Sequence, residues 1–299
     1  MSPGPTRGRA GQLGATLLRA WPLPAHADGG GKEVRGRVLV VGGERELAGA
    51  VRLAGEAALR AGAGKLQIAV AAAVAPALAV AVPEARVLAL AETARGAIAG
   101  TGRGLAATAA RADALVLGPG MERGPGLRAL ARRLLPRLPG AVVLDAGAID
   151  LALLRAWHRL GQRPPAIVTP HHGEMASLLD CDAADVAAHA PRVALRFARE
   201  WGLVVVLKEA CTWIAEPAGG LWCHRNGPPG LGTSGSGDVL AGLIGGLCAR
   251  GATPAQAACW GVWLHARSAA GLQGAGAMGL LAREIAAGVP ALLAANGPR

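Results

Sequence analysis

A glycine-rich run, Gly230-Leu231-Gly232-Thr233-Ser234-Gly235-Ser236-Gly237-Asp238, leads into Val239, Leu240, Leu243, Ile244, Leu247 and Cys248 at helical spacing. A loop that feeds a helix in this way leaves backbone N–H groups without intrahelical partners, and the positive end of the helix adds to their pull on an anion. Glycines let a phosphate come close to the backbone. Asp238 stands awkwardly at the mouth of such an anion hole, because an ionised carboxylate repels a phosphate beside it. Two readings fit it. As a base it would take a proton from a hydroxyl, a service that accelerates reactions about 10²- to 10⁴-fold. As a helix N-cap it would contribute about 1 kcal/mol of stability. The local sequence leaves both open.

Other polar residues stand where short apolar runs end. Lys208, Glu209, Ala210, Cys211 and Thr212 follow Leu203 to Leu207, and Asp145 follows Val142 to Leu144. Thr169-Pro170-His171-His172-Gly173-Glu174 follows Ile167 and Val168, while Gly118-Pro119-Gly120 follows Ala114 to Leu117. Near the front, Val38 to Val41 ends in Gly42-Gly43. Then come an Ala/Leu-rich segment at helical spacing, Gly49 to Arg60, and a further apolar run, Leu66 to Val70. Such alternation of buried strand and helix predicts an α/β fold with a mostly parallel sheet covered on both faces, whose ligands gather outside the carboxyl ends of the strands. The residues just named are therefore the site candidates.

The chain has 299 residues, 52% apolar and 17% charged, which suits one large domain and excludes disorder, collagen and coiled coil. Residues 37–299 read as that domain. Residues 1–36, with Arg7, Arg9, Arg19, Lys32 and one apolar patch at 17–23, read as an N-terminal arm. Five cysteines without a C-x-x-C pair fit neither a disulfide framework nor a structural zinc site, so a reducing cytoplasmic setting is expected. No apolar leader opens the chain, and the apolar stretch 68–82 is short and holds Pro76, so neither export nor a membrane span is expected. The net charge of +11 comes mostly from scattered arginines, and with only 3% aromatics the stacking platforms of a single-stranded nucleic-acid binder are missing.

Gly-Ser-Gly-Asp opening an apolar helix late in an α/β chain resembles the ribokinase-like superfamily. Val41-Gly42-Gly43, Gly49-Ala50, the 57–64 segment, Gly118-Pro119-Gly120, Leu144-Asp145-Ala146, the 169–175 segment, Leu207-Lys208 and Asp238-Val239-Leu240-Ala241-Gly242 together resemble the ADP/ATP-dependent NAD(P)H-hydrate dehydratases. The likeness covers about residues 32–272, and the order of the motifs carries it. It implies a ribokinase-like fold and a stand-alone dehydratase, the 36 residues ahead of Arg37 being too few for the epimerase domain of many bacterial members. It also implies a lyase reaction: ADP or ATP, with Mg²⁺, phosphorylates the C6 hydroxyl of (S)-NADHX or (S)-NADPHX, and loss of phosphate restores NADH or NADPH.

The same resemblance makes Asp238 the base. It places the hydrated substrate against Ala50, Gly120, His171 and Asp238, and the nucleotide against Lys208, Glu209, Ala210, Cys211, Thr212, Gly235, Ser236 and Gly237. Partners beyond these small molecules are expected to be copies of the chain in a homo-oligomer, with no nucleic acid and no membrane. The chain departs from the family pattern at Glu209, where Gly is usual, at Ser234, also commonly Gly, and at Gly147, which replaces a second Asp. The His171-His172-Glu174 cluster invites a metal reading, but adjacent residues rarely point the same way and no further ligand lies at a recognisable spacing, so no dedicated metal site is expected. Glu174 fits the first turn of a helix, or a water-mediated contact to nucleotide-bound Mg²⁺. Asp145 either caps its loop or helps with Mg²⁺. Trp201, Trp213, Trp260 and Trp263 read as core, while Trp222 is a candidate to flank the nucleotide base. Two other functions fit the same residues: a vitamin kinase acting on a hydroxymethylpyrimidine or hydroxyethylthiazole, and a non-enzymatic nucleotide or RNA binder.

Overall fold

Runs of Val, Leu and Ile short enough for strands and too apolar for an exposed face must be covered on both sides. In the computed structural model, which describes residues 10–25, 31–225, 227–272 and 278–297, they form the middle of a ten-stranded sheet. In chain order the strands are β1 (Gly11–Gln12), β2 (Arg37–Val41), β3 (Lys65–Ala71), β4 (Ala85–Leu90), β5 (Ala114–Leu117), β6 (Ala141–Leu144), β7 (Ala166–Val168), β8 (Val204–Leu207), β9 (Thr212–Ala215) and β10 (Leu221–His224). Their spatial order is β1-β10-β9-β8-β7-β6-β5-β2-β3-β4. Strands β2 to β8 pair in parallel, and β9 and β10 run antiparallel beyond β8. The predicted α/β class and mostly parallel sheet are both present.

Side chains alternate between the faces with the period of two that a strand imposes. Val38 and Val40 enter one core, Leu39 and Val41 the other. The Gly49–Arg60, Ser236–Ala249 and Pro254–Leu272 helices contribute to the first core, and the Pro125–Leu134, Leu151–His158, His172–Leu179 and Ala190–Trp201 helices to the second.

The first two of these helices touch backbone to backbone. A Cβ on Gly242 would lie 2.1 Å from the Ala54 carbonyl oxygen, and one on Gly246 would lie 2.4 Å from that of Ala58. Both contacts advance by four residues along each helix, so the helices run parallel and present their N-termini to the same rim. We predict that Gly242→Ala lowers stability by about 1–3 kcal/mol, since a backbone atom cannot rotate away. Thermal melting checks this against Gly161→Ala, where nothing lies within 4 Å of the added carbon.

Four strands were not anticipated: β1, β4, β9 and β10. The 68–82 stretch is the end of β3, a short turn and the Ala75–Ala81 helix, with Pro76 in its first turn. Among the described residues no helix is long and apolar enough to cross a membrane. Within the segment read as an arm, Arg7 and Arg9 lie outside the described residues. Residues 10–25 of it pack. There β1 pairs with β10, and Leu13, Leu18, Trp21 and Leu23 are buried in the first core. The Trp260 indole N–H donates to the Trp21 carbonyl at 3.0 Å, and the Gln256 amide donates to that of Pro22 at 2.7 Å. Packing therefore begins ahead of Arg37, because the apolar patch at 17–23 finds a partner in the Pro254–Leu272 helix and β10.

Candidate active site

The parallel strands deliver their carboxyl ends to one rim, where the two parallel helices also begin. The Ser236–Ala249 helix starts after Gly235, whose φ of +86° is the left-handed conformation that suits glycine. A side chain there would also meet Leu53 at 2.5 Å. Gly235 is thus the N-cap, and Ser236, Gly237 and Asp238 form the first turn, where the Ser236 N–H donates to the Thr233 carbonyl at 3.3 Å, the next N–H groups lack intrahelical partners and an acid is favoured. The N-cap reading of Asp238 is corrected by this geometry, because its carboxyl stands past the cap.

Burial pushes the Asp238 carboxyl up to about 7; the Asp145 charge adds to the rise and the Lys208 charge opposes it. Desolvation outweighs the cation because Lys208 is committed elsewhere. Its Nζ is 3.4 Å from Asp145 Oδ1 and 4.0 Å from Glu174 Oε2. Asp145, 2% exposed, is held in turn by the Thr169 hydroxyl, which donates to its Oδ1 at 2.5 Å. The Lys208 ammonium is also 3.3 Å from the point where a Gly237 Cβ would sit, so it stands against the helix's first turn. An anion held there would meet backbone N–H groups and a full positive charge together.

A cleft of about 590 Å³ opens beside this turn. Of the residues expected to hold a nucleotide, Lys208, Glu209, Ala210, Thr212, Ser236 and Gly237 line it. Two do not. Gly235 packs on Leu53, and the Cys211 thiol turns toward Cys223, where burial raises its pKa. Of the expected substrate residues, His171 lines the cleft, while Ala50 and Gly120 come together apart from its lining. A Cβ on Gly120 would be 2.9 Å from that of Ala50, so these two abut. Ala50 is one turn ahead of Ala54, as Asp238 is one turn ahead of Gly242, and the shared register puts Ala50 and Asp238 at one level along the two helices.

His171 caps the His172–Leu179 helix: its Nδ1 accepts the Glu174 N–H at 3.2 Å, and the Glu174 carboxylate accepts the His171 N–H at 2.8 Å. This reciprocal box leaves the imidazole exposed at the rim of the cleft. Glu174 is in the first helical turn, as expected. His172 turns away toward Glu209, 3.8 Å off, and burial lowers its pKa. The adjacent histidines diverge, and among the described residues no group of three or more His, Cys, Asp or Glu is placed to hold a metal ion. Trp222 is not beside the cleft. It is fully buried and stacks on Trp21 at 5.6 Å, because β10 turns its indole into the core.

Sequence reasoning missed His224, His265 and the Pro228-Pro229 turn, which all line the cleft. The doubled proline just ahead of the glycine loop was a usable signal, as was an imidazole within the apolar 257–266 run.

Comparison with known proteins adds a separate line of observation. Residues 38–291 match the family model described as NAD(P)H-hydrate dehydratase. A protein of Xanthomonas campestris pv. campestris named ADP-dependent (S)-NAD(P)H-hydrate dehydratase is 51% identical over 280 residues, 93% of this chain and 94% of that protein. A Neisseria meningitidis protein of the same name is 34% identical, over 88% of this chain and 86% of its own length. Among solved structures, an ADP/ATP-dependent NAD(P)H-hydrate dehydratase from Bacillus subtilis, co-crystallised with ATP and Mg²⁺, superposes with a TM-score of 0.81 at 28% identity, covering 96% of this chain and 99% of that one.

Proposed function

Because the chain belongs to the NAD(P)H-hydrate dehydratase family, with its ribokinase-like fold, we propose that the geometry around Asp238 serves that family's reaction. The protein is an ADP-dependent (S)-NAD(P)H-hydrate dehydratase, a lyase that returns hydrated NADH and NADPH to NADH and NADPH at the expense of ADP or ATP. The observation that carries the site assignment is the buried Asp238 carboxyl in the first turn of a glycine-capped helix, with the Lys208 ammonium against the same turn.

The nucleotide occupies the cleft, its phosphates over the N–H groups of the first turn and beside Lys208. The hydrated nicotinamide lies against Ala50, Gly120 and His171. Asp238 takes the proton of its hydroxyl as the phosphoryl group arrives from the cleft side, and the N–H donors hold the charge that builds on phosphorus. The C6–O bond then breaks, phosphate leaves with the bonding pair, and a proton passes from the adjacent ring carbon to solvent, which restores the ring double bond. Asp145 and Glu174, which flank Lys208, are hard oxygen donors of the kind Mg²⁺ takes in ones or twos beside phosphates, and bound Mg²⁺ supplies charge neutralisation on the phosphates. Residues 37–299 supply the catalytic groups, with the 1–36 segment as an arm whose residues 10–25 complete the first core. We further propose a cytoplasmic homo-oligomer without nucleic-acid or membrane partners. Five free cysteines support the compartment, and the exposed apolar side chains of Leu47, Val80 and Met278 support self-association.

The test mixes purified protein with hydrated NADH, Mg²⁺ and ADP or ATP, and follows reduced-nicotinamide absorbance. Recovery of absorbance that requires the nucleotide is the expected result. A stable phosphorylated vitamin precursor would point to the kinase, and salt-sensitive RNA retention with neither activity to the binder.

A further inference from the structure

His265 is a polar side chain in an apolar setting. It stands on the Pro254–Leu272 helix between Leu264 and Ala266, is 7% exposed, and borders the cleft with Ser236 and Gly237. Burial holds its pKa down to about 4; a hydrogen bond to the Ser236 backbone opposes the fall, and the Lys208 and His224 charges add to it. The ring is neutral at physiological pH.

A neutral imidazole carries one N–H and one lone pair. His265 Nε2 lies 3.0 Å from the Ser236 carbonyl oxygen and 3.1 Å from Ser236 Oγ. The carbonyl can only accept, so a lone pair on Nε2 would face another lone pair at hydrogen-bond distance. The proton therefore sits on Nε2, which donates to the carbonyl and shares the bond with Oγ. That assignment decides what the Ser236 hydroxyl does. Its oxygen accepts on the His265 side, which leaves its own proton to point elsewhere, and Ser236 lines the cleft beside Gly237 and Lys208.

We infer that His265 is a positioning residue: it pins the first turn of the Ser236–Ala249 helix and aims the Ser236 hydroxyl proton at the phosphoryl group held there. The inference rests on the dehydratase reading for what the phosphoryl group does, but the hydrogen-bond relay needs only a bound nucleotide. A leucine would fill the same space without donating. A lysine would add a second buried cation beside Lys208. Neutral imidazole donates a fixed hydrogen bond and leaves the charge balance around Asp238 unchanged.

A double-mutant cycle tests the relay. His265→Leu and Ser236→Ala are each expected to lower kcat about tenfold or more, as loss of an oriented donor does, with KM for hydrated NADH nearly unchanged. The double variant should fall no further than the worse single one. His265→Gln, whose terminal amide N–H reaches about as far as Nε2, should recover most of the loss, whereas His265→Asn, a shorter amide, should not. The same cycle read as ADP affinity by calorimetry should show the same non-additivity without turnover. Additive losses, or equal activity of the Gln and Asn variants, overturn the inference. Should His265→Leu fail to melt cooperatively, the Gln–Asn comparison decides. Wild-type protein that binds ADP but restores no NADH overturns the dehydratase reading instead, and the calorimetric cycle still stands or falls by itself.

Discussion

Asp238→Asn is expected to lower kcat by about 10²- to 10⁴-fold, the range for a positioned base, while leaving ADP affinity intact or slightly improved. Asparagine keeps the shape and removes the proton acceptor together with the negative charge that opposes phosphate. A carboxyl raised to about 7 also sets the pH profile. The base works only when ionised, so kcat/KM for wild type should climb with pH and level off above about 7, and the Asn variant's residual rate should lack that limb. Stability carries the opposite sign. In the unfolded chain an Asp releases its proton near ~3.9, whereas the folded chain keeps it up to about 7. The stabilisation due to the bound proton is complete below ~3.9 and is lost as pH rises through 7, where the buried site must take a charge. Asn takes none. The variant should therefore gain on wild type as pH rises from about 4 to 8, by up to about 4 kcal/mol at the top of that window, with no gain at the acid end. Thermal melts of both proteins across that window, paired with the kinetic profile, check both halves. A variant that loses stability at pH 8, or that turns over normally, removes Asp238 from the role of base.

This conflict between stability and service explains why the site was the most legible part of the sequence. Glycine, serine and an acid suit a helix start but are sparse in the apolar helix that follows, so the 230–238 segment stood out against everything around it. β5 to β8 were legible for a simpler reason: each is fully apolar and stops at Gly118, Asp145, Thr169-Pro170 or Lys208. The strands that escaped notice obey other rules. β4 is an edge strand, and Arg86 and the exposed positions along it blur its apolar pattern. β9 and β10 form a hairpin whose Trp213, Trp222 and Cys223 read equally well as helix core. β1 has only two residues and exists because Leu13, Leu18 and Trp21 anchor it. Trp222 was misplaced because an indole suits a nucleotide base as well as it suits a core, and only the direction in which β10 turns it separates the two. His265 could not be assigned from spacing, since its partner Ser236 is 29 residues away and only the packing of two helices brings them together.

Lys208→Met should weaken ADP binding by about 10- to 100-fold, the usual range for losing a charge-assisted contact, and should lower kcat because the same ammonium faces the first helical turn. Nucleotide affinity alone would not separate this role from a general loss of positive charge, but the neighbours of Lys208 do. Asp145 is buried and would keep only the Thr169 hydroxyl among its present partners. Removing one member of a pair leaves the other charge uncompensated, so the variant should also lose stability, by about 1–3 kcal/mol once the partial exposure of Lys208 is allowed for. Adding Asp145→Asn should return most of that stability without returning ADP affinity, which divides the structural work of the pair from the work Lys208 does on the ligand. The pH profile supplies a further check. Lys208 now holds the Asp238 pKa down. With methionine in its place, the ascending limb of kcat/KM should move to more alkaline pH. Were Lys208 only a solvated strand end, neither the limb nor the melting temperature would move, and ADP would bind as before.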